Sequence, residues 1–293
     1  MLEIKRLREC KLDDVISAWN SGFEGYSFNM TMTIDHFITR LSNEGLSADL
    51  SVVGFMNGQP AGIILSGIRM IQGKKVAWNG GTGVATAFRR QGVGKALMKE
   101  VLDIYKEEGV QLATLEAISE NAKAIDLYKD CGFTVMDHLE YLELSGPKTP
   151  PLSNQKNTDY TSKRVALQKL DQLAFYKHMN PWQTHWKNAK GSQAIIVLDS
   201  NLQEVGYANY NYGYSEDGKH VATYLYQCEA NPEREDQESI LHYIIHEVFG
   251  TCSDDTRRVI LNLPSESSKV THNVLKNLGF SPTIKQVYMT KEM

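Results

Sequence analysis

The stretch FRRQGVGKALMKEVL, residues 88–102, decides how the first half of this chain is interpreted. Gly92 and Gly94 lie at the start of a predicted helix over 92–106, whose first-turn amides have no partner within the helix. The helix dipole is positive at this end, so an anion such as a phosphate is the natural ligand there. The helix is predicted from one apolar face, made of Val93, Leu97, Val101 and Ile104.

Two explanations of the glycines stay open at this level. Either they let the backbone approach a phosphate, or they serve only tight packing. The stretch has neither the GxxxxGK[ST] spacing of a Walker loop nor the GxGxxG spacing of a dinucleotide site, because Ala96 and Leu97 follow GVG.

Helical and strand patterns alternate around this stretch. Their order predicts an α/β fold with a mixed sheet and helices on both faces. Helices are predicted over 12–20 and 121–131, and strands over 50–56, 60–68, 75–86, 111–118 and 133–144.

The chain divides into two similar halves. The proline-rich stretch SGPKTPPLSNQKNTD (145–159) is typical of a linker. LYKDCGFTVMDHLEY (127–141) aligns with VLKNLGFSPTIKQVY (274–288), which indicates a duplicated domain. The predicted organisation is a first domain over 1–145, a linker over 146–158 and a second domain over 159–293.

Composition limits the possible function classes. A net charge of −4 without a basic run argues against a nucleic-acid partner. Because the apolar runs are short, we expect neither a membrane segment nor a leader. The four cysteines are scattered, which favours reduced thiols in the cytoplasm. We expect no metal, since His242 and His246 lack the glutamate of an HExxH site.

Two ordered motifs resemble one family. Arg89-x-x-Gly92-x-Gly94 resembles the [QR]xxGx[GA] pyrophosphate loop of GNAT-type N-acetyltransferases, and NAKAIDLYKDCGF (121–133) resembles a later segment of that family. The resemblance covers residues 1 to 145 and implies acetyl-coenzyme A as the co-substrate. Together with the duplication it implies two GNAT-like domains, each a central mixed sheet flanked by helices.

The resemblance also implies roles for particular residues. Tyr128 would protonate or hydrogen-bond the leaving thiolate, and Glu116 would act as general base for the amine. Glu24, Tyr26 and Asn79 are weaker candidates for the acceptor side, together with Phe28. The implied cofactor residues are Val84, Thr86, Arg89, Arg90, Gln91, Gly92, Val93, Gly94, Lys95, Ala96 and Asn121.

The second half departs from the family at the corresponding positions. Its counterpart of the loop is EREDQES (233–239), where Gln237 and Ser239 are aligned with the two glycines and four acidic residues face one arginine. Ser268 and Leu275 stand where the first half has Asn121 and Tyr128. We therefore expect a degenerate second domain that binds no acetyl-coenzyme A.

The expected activity is acetyl transfer to a primary amine by direct attack in a ternary complex. The alternatives are a non-catalytic acyl-coenzyme A-binding regulatory or scaffold module, and an enzyme that uses a larger acyl donor. The acceptor stays open among aminoglycosides, polyamines, small thiol-containing amines, amino acids and peptide N-termini. The chain is expected to be a monomer or a homodimer.

Overall fold

The computed structural model describes residues 1–26, 29–147, 159–252 and 254–293. The predicted linker lies almost wholly outside the described residues, and so does Phe28. The described chain forms two compact units, Met1–Met136 with Val287–Met293 and Asp137–Gln286. Each unit thus includes a segment that the predicted boundaries assign to the other half, and those boundaries stay a prediction.

Six helices and twelve strands are found in the described residues. The helices are α1 (Leu12–Gly22), α2 (Ile34–Glu44), α3 (Val93–Glu107), α4 (Ala122–Asp130), α5 (Gln237–Phe249) and α6 (Lys269–Asn277). The strands are β1 (Leu2–Arg6), β2 (Val52–Met56), β3 (Gln59–Ile71), β4 (Lys74–Val84), β5 (Leu112–Ile118), β6 (Thr134–Leu144), β7 (Tyr160–Val165), β8 (Gln193–Asp199), β9 (Glu204–Tyr214), β10 (His220–Ala230), β11 (Arg257–Pro264) and β12 (Ser281–Glu292).

The predicted helices and strands of the first half are confirmed within a few residues, but β1 and α2 were not predicted. The signals that bound α2 are present in the sequence. The Thr33 side chain accepts a hydrogen bond from the amide of His36, and Gly45 ends the helix with a φ of +65°. The apolar residues Ile34, Phe37, Ile38 and Leu41 also follow helical spacing, so the sequence carried a periodic signal for α2 as well.

In the first unit the strands follow the order β1-β2-β3-β4-β5, and the end of β12 lies beside β5. Neighbours from β1 to β4 are antiparallel, whereas β4 and β5 are parallel. The parallel pairing joins Val76–Asn79 to Leu112–Leu115, although β4 continues to Val84 and β5 to Ile118. The two strands therefore separate beyond Asn79.

The strands separate at a β-bulge. Against β3, Ser66 pairs with Asn79 and Leu65 pairs with Gly81, so Gly80 is the extra residue. A Cβ atom at Gly80 would come within 2.7 Å of the Trp78 ring, which explains the glycine. The bulge changes which face of the sheet the following side chains meet.

The second unit repeats this plan. Its order is β6-β11-β10-β9-β8-β7, with β10 and β11 parallel over Ala222–Leu225 and Arg257–Ile260. Tyr226 is the extra residue of its bulge, directly after the parallel pairing. The predicted α/β class, with a mixed sheet flanked by helices, is confirmed.

Helix packing is also alike in the two units. The predicted apolar face of α3 is buried, with Val93, Leu97, Val101 and Ile104 each 1% exposed or less. Gly62 allows that close approach, because its Cβ would lie 3.0 Å from a Leu97 methyl group. In the second unit, a Cβ atom at Gly206 on β9 would lie 2.7 Å from Ile240 on α5. None of the described helices has the length and apolar character needed to cross a bilayer.

Candidate functional site

A cleft of about 810 Å³ opens in the first unit where β4 and β5 separate. Its walls are the end of β4, the start of α3, the segment that follows α1, and α4 with the loop before it. Tyr128, Glu24 and Tyr26 line it, and so do eight of the predicted cofactor residues: Val84, Arg89, Arg90, Gly92, Val93, Gly94, Lys95 and Asn121.

The start of α3 forms one wall of the cleft. Gly92 is the residue before the helix, has a φ of +80° and offers no side chain to cap the first-turn amides. The amides of Val93, Gly94 and Lys95 have no carbonyl acceptor within the helix, because they belong to its first turn. That turn contains no acidic residue. Arg90 also has a positive φ, of +62°. Backbone amides in such a turn form an anion-binding concavity.

Gly94 allows α3 to lie close to α4 and to the end of β4. A Cβ atom there would lie 3.3 Å from a Leu127 methyl group and 3.5 Å from a Val84 methyl group. A larger side chain would have to project into the cleft, because these two residues occupy the other direction.

The Arg89 guanidinium donates hydrogen bonds to backbone carbonyls of the protein. Its Nε donates to the carbonyl of Val84 at 2.9 Å, and its guanidinium also donates to the carbonyls of Gly22 (3.3 Å) and Glu24 (3.1 Å). Arg89 therefore ties the end of β4 to the segment after α1. The cationic side chains that line the cleft besides Arg89 are Arg90, Lys95 and Lys123.

Tyr128 is buried on α4 and lines the cleft. Burial raises the pKa of its phenol to about 12, although a hydrogen bond with the Thr82 side chain works in the opposite direction. The phenol is therefore neutral near pH 7 and can donate a hydrogen bond into the cleft.

Thr82 is in turn held by Asn79. The Asn79 Nδ2 donates to Thr82 Oγ1 at 2.9 Å, and its Oδ1 accepts from the Gly81 amide at 3.1 Å. Asn79 is buried and does not line the cleft. It stabilises the bulge and orients Thr82, so Asn79 is connected to Tyr128 through the Thr82 side chain.

Asn121 faces two ways. Its Oδ1 caps α4 by accepting from the amide of Ala124 at 3.2 Å. Its Nδ2 lies 3.4 Å from the Tyr26 hydroxyl across the cleft. The residue thus has a capping role and an amide donor exposed to the cleft.

Glu116 lies outside the cleft lining. The Trp78 indole Nε1 donates to Glu116 Oε2 at 2.7 Å. Its neighbours on β5, Leu115 and Ala117, pack with α3, so the alternation of a strand directs Glu116 to the opposite face.

Three predicted loop positions also lie outside the lining. Thr86 belongs to a short 3₁₀ turn over Thr86–Phe88, and Gln91 donates to the carbonyl of Ala87 at 2.9 Å. The Ala96 amide already bonds to the carbonyl of Gly92 at 3.0 Å. Their assignment to the cofactor stays a prediction.

Nine lining residues were not predicted, and three of them carry polar side chains: Thr82, Glu120 and Lys123. Thr82 lies two positions before Val84 on β4, so strand alternation could have indicated that the two share a face. Glu120 and Lys123 flank Asn121 in the loop and first turn of α4, where only the fold shows that they border a cleft.

The second unit fills the corresponding places with its own side chains. Aligned on the helix starts, Asp236 replaces Gly92 and Glu238 replaces Gly94, one residue earlier than the alignment predicted from sequence. Asp236 accepts from Arg234 at 2.8 and 2.9 Å and from the Tyr160 hydroxyl at 2.6 Å. These bonds hold the pKa of Asp236 below its ordinary value, with Arg234 the larger cause.

In the second unit, a buried carboxylate occupies the gap beyond the parallel pairing of β10 and β11. Glu229, one residue before the end of β10, accepts from Ser268 Oγ at 2.5 Å and from Thr271 Oγ1 at 3.2 Å, and pairs with Lys177 at 2.9 Å. Burial raises the pKa of Glu229, against the effect of Lys177. Ser268 precedes α6 as Asn121 precedes α4, and Leu275 is buried at the position of Tyr128.

Comparison with known proteins fits this geometry. Residues 13–133 match the model of the acetyltransferase (GNAT) family. The match lies wholly within the first unit. Over 91 residues the chain is 32% identical to N-alpha-acetyltransferase 30 of Dictyostelium discoideum, a match that covers 31% of this chain. The chain spans about half that relative, 49% of its length.

Solved structures resemble the whole chain. A GCN5-related N-acetyltransferase from Sphaerobacter thermophilus superposes with a TM-score of 0.68 at 12% identity, over 99% of this chain and 95% of that one. A tandem GNAT protein from the clavulanic acid biosynthesis pathway superposes with a TM-score of 0.63 at 12% identity, over 100% and 98%. At these identities the likeness establishes the fold alone, and it confirms the expectation of a tandem GNAT-like fold.

Replacing Asp236 tests its structural role in the second unit. Asp236→Asn is expected to lower the free energy of unfolding by about 1 kcal/mol at pH 7, because a half-exposed ion pair with Arg234 is lost. A lowered carboxyl pKa contributes stability above the unfolded-state value, about 3.9, and loses it as pH falls through the folded value. The difference from wild type should therefore shrink below about pH 4.

Urea denaturation at pH 7 and at acid pH measures this, with the exposed neighbour Glu235→Gln as control. Equal stability of Asp236→Asn and wild type at pH 7, or a deficit that persists unchanged in acid, contradicts the assignment.

Proposed function

We propose that the first unit transfers an acetyl group from acetyl-coenzyme A to a primary amine, by direct attack within a ternary complex. The observation that carries the proposal is the open cleft in which an uncapped helix N-terminus meets the gap between β4 and β5. The acceptor would be a small molecule or a peptide N-terminus.

The cofactor pyrophosphate would bind the amides of Val93, Gly94 and Lys95. The helix dipole and the nearby side chains of Arg90 and Lys95 favour a dianion at this position. A left-handed residue is needed where the loop enters the helix, which accounts for Gly92. The pantetheine arm would then lie in the gap between the strands.

The thioester would lie beside the end of β4. Attack by an amine places negative charge on the carbonyl oxygen, and a preplaced backbone amide near Val84 would stabilise that charge. The Val84 carbonyl already accepts from Arg89, which holds this part of the strand in place before any ligand binds.

Tyr128 would act on the leaving group as a hydrogen-bond donor. A phenol with a pKa of about 12 could hand its proton to a thiolate of ordinary pKa, about 8.5, only against roughly 5 kcal/mol. Stabilisation of the thiolate by a hydrogen bond carries no such penalty. The Thr82 hydroxyl, held by Asn79, would support the phenol oxygen as its hydrogen moves toward sulfur.

The acceptor side is acidic. Glu24 and Glu120 are the two carboxylates that line the cleft within the described residues, and both are exposed. They would attract a protonated amine to the cleft. Glu116 as general base stays a prediction, and its contact with Trp78 favours a structural role instead.

The second unit would bind no coenzyme A. Asp236 and Glu238 stand in place of the two glycines, and carboxylates there repel a pyrophosphate. Glu229 and Lys177 occupy the gap that would receive the pantetheine arm. The proposal therefore assigns the cofactor to the first unit alone.

A charge placed on α3 tests the cofactor position. Gly94→Glu is expected to weaken acetyl-coenzyme A binding by about 100-fold or more, because a carboxylate would project toward the pyrophosphate. Lys99→Glu is the matched control, since it creates the same residue at an exposed position of the same helix. Fluorescence competition with a labelled coenzyme A, with circular dichroism to verify folding, distinguishes them. Equal affinities for the folded variants would contradict the proposed position.

Substitution of the phenol tests catalysis separately from binding. An amine substrate is first found by screening for thiol release from acetyl-coenzyme A. With that amine, Tyr128→Phe should lower kcat about 100-fold while the Kd for coenzyme A changes little. Thr82→Val should lower kcat less, by about tenfold, through Tyr128. Tyr105→Phe is the control, because Tyr105 is buried in the same core and bonds to Ser66 away from the cleft. Cofactor binding without turnover on any amine would instead identify a non-catalytic coenzyme A-binding module.

A further inference from the structure

Three potential metal ligands converge in the second unit, in the segment between β7 and β8. Asp171, His178 and His185 each present one donor atom, and the three atoms lie within 4.8 Å of one another. It is the one such group of three found among the described residues. The ligands are spaced seven residues apart, as Asp-x6-His-x6-His.

The three residues come from one irregular segment. Asp171 belongs to a 3₁₀ helix over Leu167–Gln172, and His185 follows a 3₁₀ turn over Trp182–Thr184. His185 is 2% exposed, whereas the side chain of Asp171 is 43% exposed. The cluster therefore has a buried side and a side open to solvent.

Neighbouring aromatic residues hold the ligands in place. The Trp186 indole donates to Asp171 Oδ1 at 3.0 Å, which orients the carboxylate. The Tyr176 ring contacts both imidazoles edge-on, with centroids 4.9 Å from His178 and 5.9 Å from His185. The Tyr176 hydroxyl accepts from the Trp186 amide at 3.2 Å, which closes the ring of contacts. A hydrogen bond to the carboxylate, such as that from Trp186, is typical of metal ligands, and the ring contacts restrict both imidazoles.

We propose that Asp171, His178 and His185 form a binding site for a divalent transition-metal ion of the zinc class. Two imidazoles and one carboxylate suit Zn²⁺, with a water molecule in the fourth tetrahedral position on the exposed side. The Asp171–His178 separation, 3.3 Å between Oδ1 and Nδ1, is close to the spacing of two ligands on one zinc ion.

An ion pair alone explains only part of this cluster. A protonated His178 beside Asp171 would account for the 3.3 Å contact, but it involves only two of the three converging side chains. His185 Nδ1 accepts from the Lys187 amide at 3.2 Å. A metal at Nε2 would move the ring proton to Nδ1, and a metal at Nδ1 would take its lone pair, so this long hydrogen bond breaks in either case.

The metal would cross-link a segment that contains neither an α-helix nor a strand. Because the ligands lie along Asp171–His185, one ion would fix two 3₁₀ turns against each other and against the small core around Leu170 and Tyr207. Metal binding should then raise the thermal stability of the protein and release protons from the histidines.

The test uses the full chain without a polyhistidine tag, stripped with a chelator and titrated with Co²⁺ and then Zn²⁺. We expect one Co²⁺ per chain with the intense visible bands of a tetrahedral ion, displacement by Zn²⁺ and a rise in Tm. Asp171→Asn and His178→Gln should weaken Zn²⁺ binding about tenfold or more. The exposed His242→Asn is the matched control.

Asp171→Asn keeps the size of an exposed side chain, so it is expected to fold even if a change at the buried His185 is not tolerated. Absence of stoichiometric binding, binding without tetrahedral bands, or equal Zn²⁺ affinity of Asp171→Asn, His178→Gln and wild type would each overturn the proposal.

Discussion

The separation of β4 from β5 is the constraint on which the first unit depends. Parallel pairing stops at Asn79 and Leu115, and the bulge at Gly80 turns the remaining part of β4 away. Asn79 stabilises the bulge through the Gly81 amide and holds the Thr82 hydroxyl. The gap, the direction of Thr82 and its contact with Tyr128 all follow from this one interruption of the sheet.

The second unit shows what the same backbone plan does with other side chains. Its parallel pairing also stops just before an extra residue, Tyr226. Glu229 and Lys177 fill the gap there, and Asp236 bonds to Arg234 and Tyr160 where the first unit has a glycine. A duplicated framework therefore supports an open cleft in one unit and a closed network of ion pairs and hydrogen bonds in the other.

Local sequence patterns predicted some of the parts of the site that depend on backbone conformation. The glycines at the start of α3 and the buried face of that helix were recognised from residues close together in the chain, whereas the left-handed conformation of Gly92 and the cap at Asn121 were not predicted. Arg89 was harder to place, because its partners include carbonyls more than sixty residues away. Its positive charge indicated a phosphate contact, whereas the fold directs it to the backbone.

For residues on strands, the sequence did not show which way each side chain points, and this limited the prediction of the site. Glu116 lies on the sheet face opposite α3 and does not line the cleft. Asn79 and Thr82 share hydrogen bonds across the bulge. Gly80 and Gly81 inside a predicted strand are a signal for a bulge, but they do not show which way the following side chains point. The cluster of Asp171, His178 and His185 was missed for a similar reason, since its segment follows neither a helical nor a strand period.

The number of coenzyme A sites on the full chain tests the central claim most directly. Calorimetric titration with desulfo-coenzyme A measures that number without turnover. One site per chain is the predicted result, because the cleft of the first unit is open and its counterpart in the second unit is filled by charged side chains. Two sites would contradict the account of the second unit, and no binding would contradict the account of the cleft.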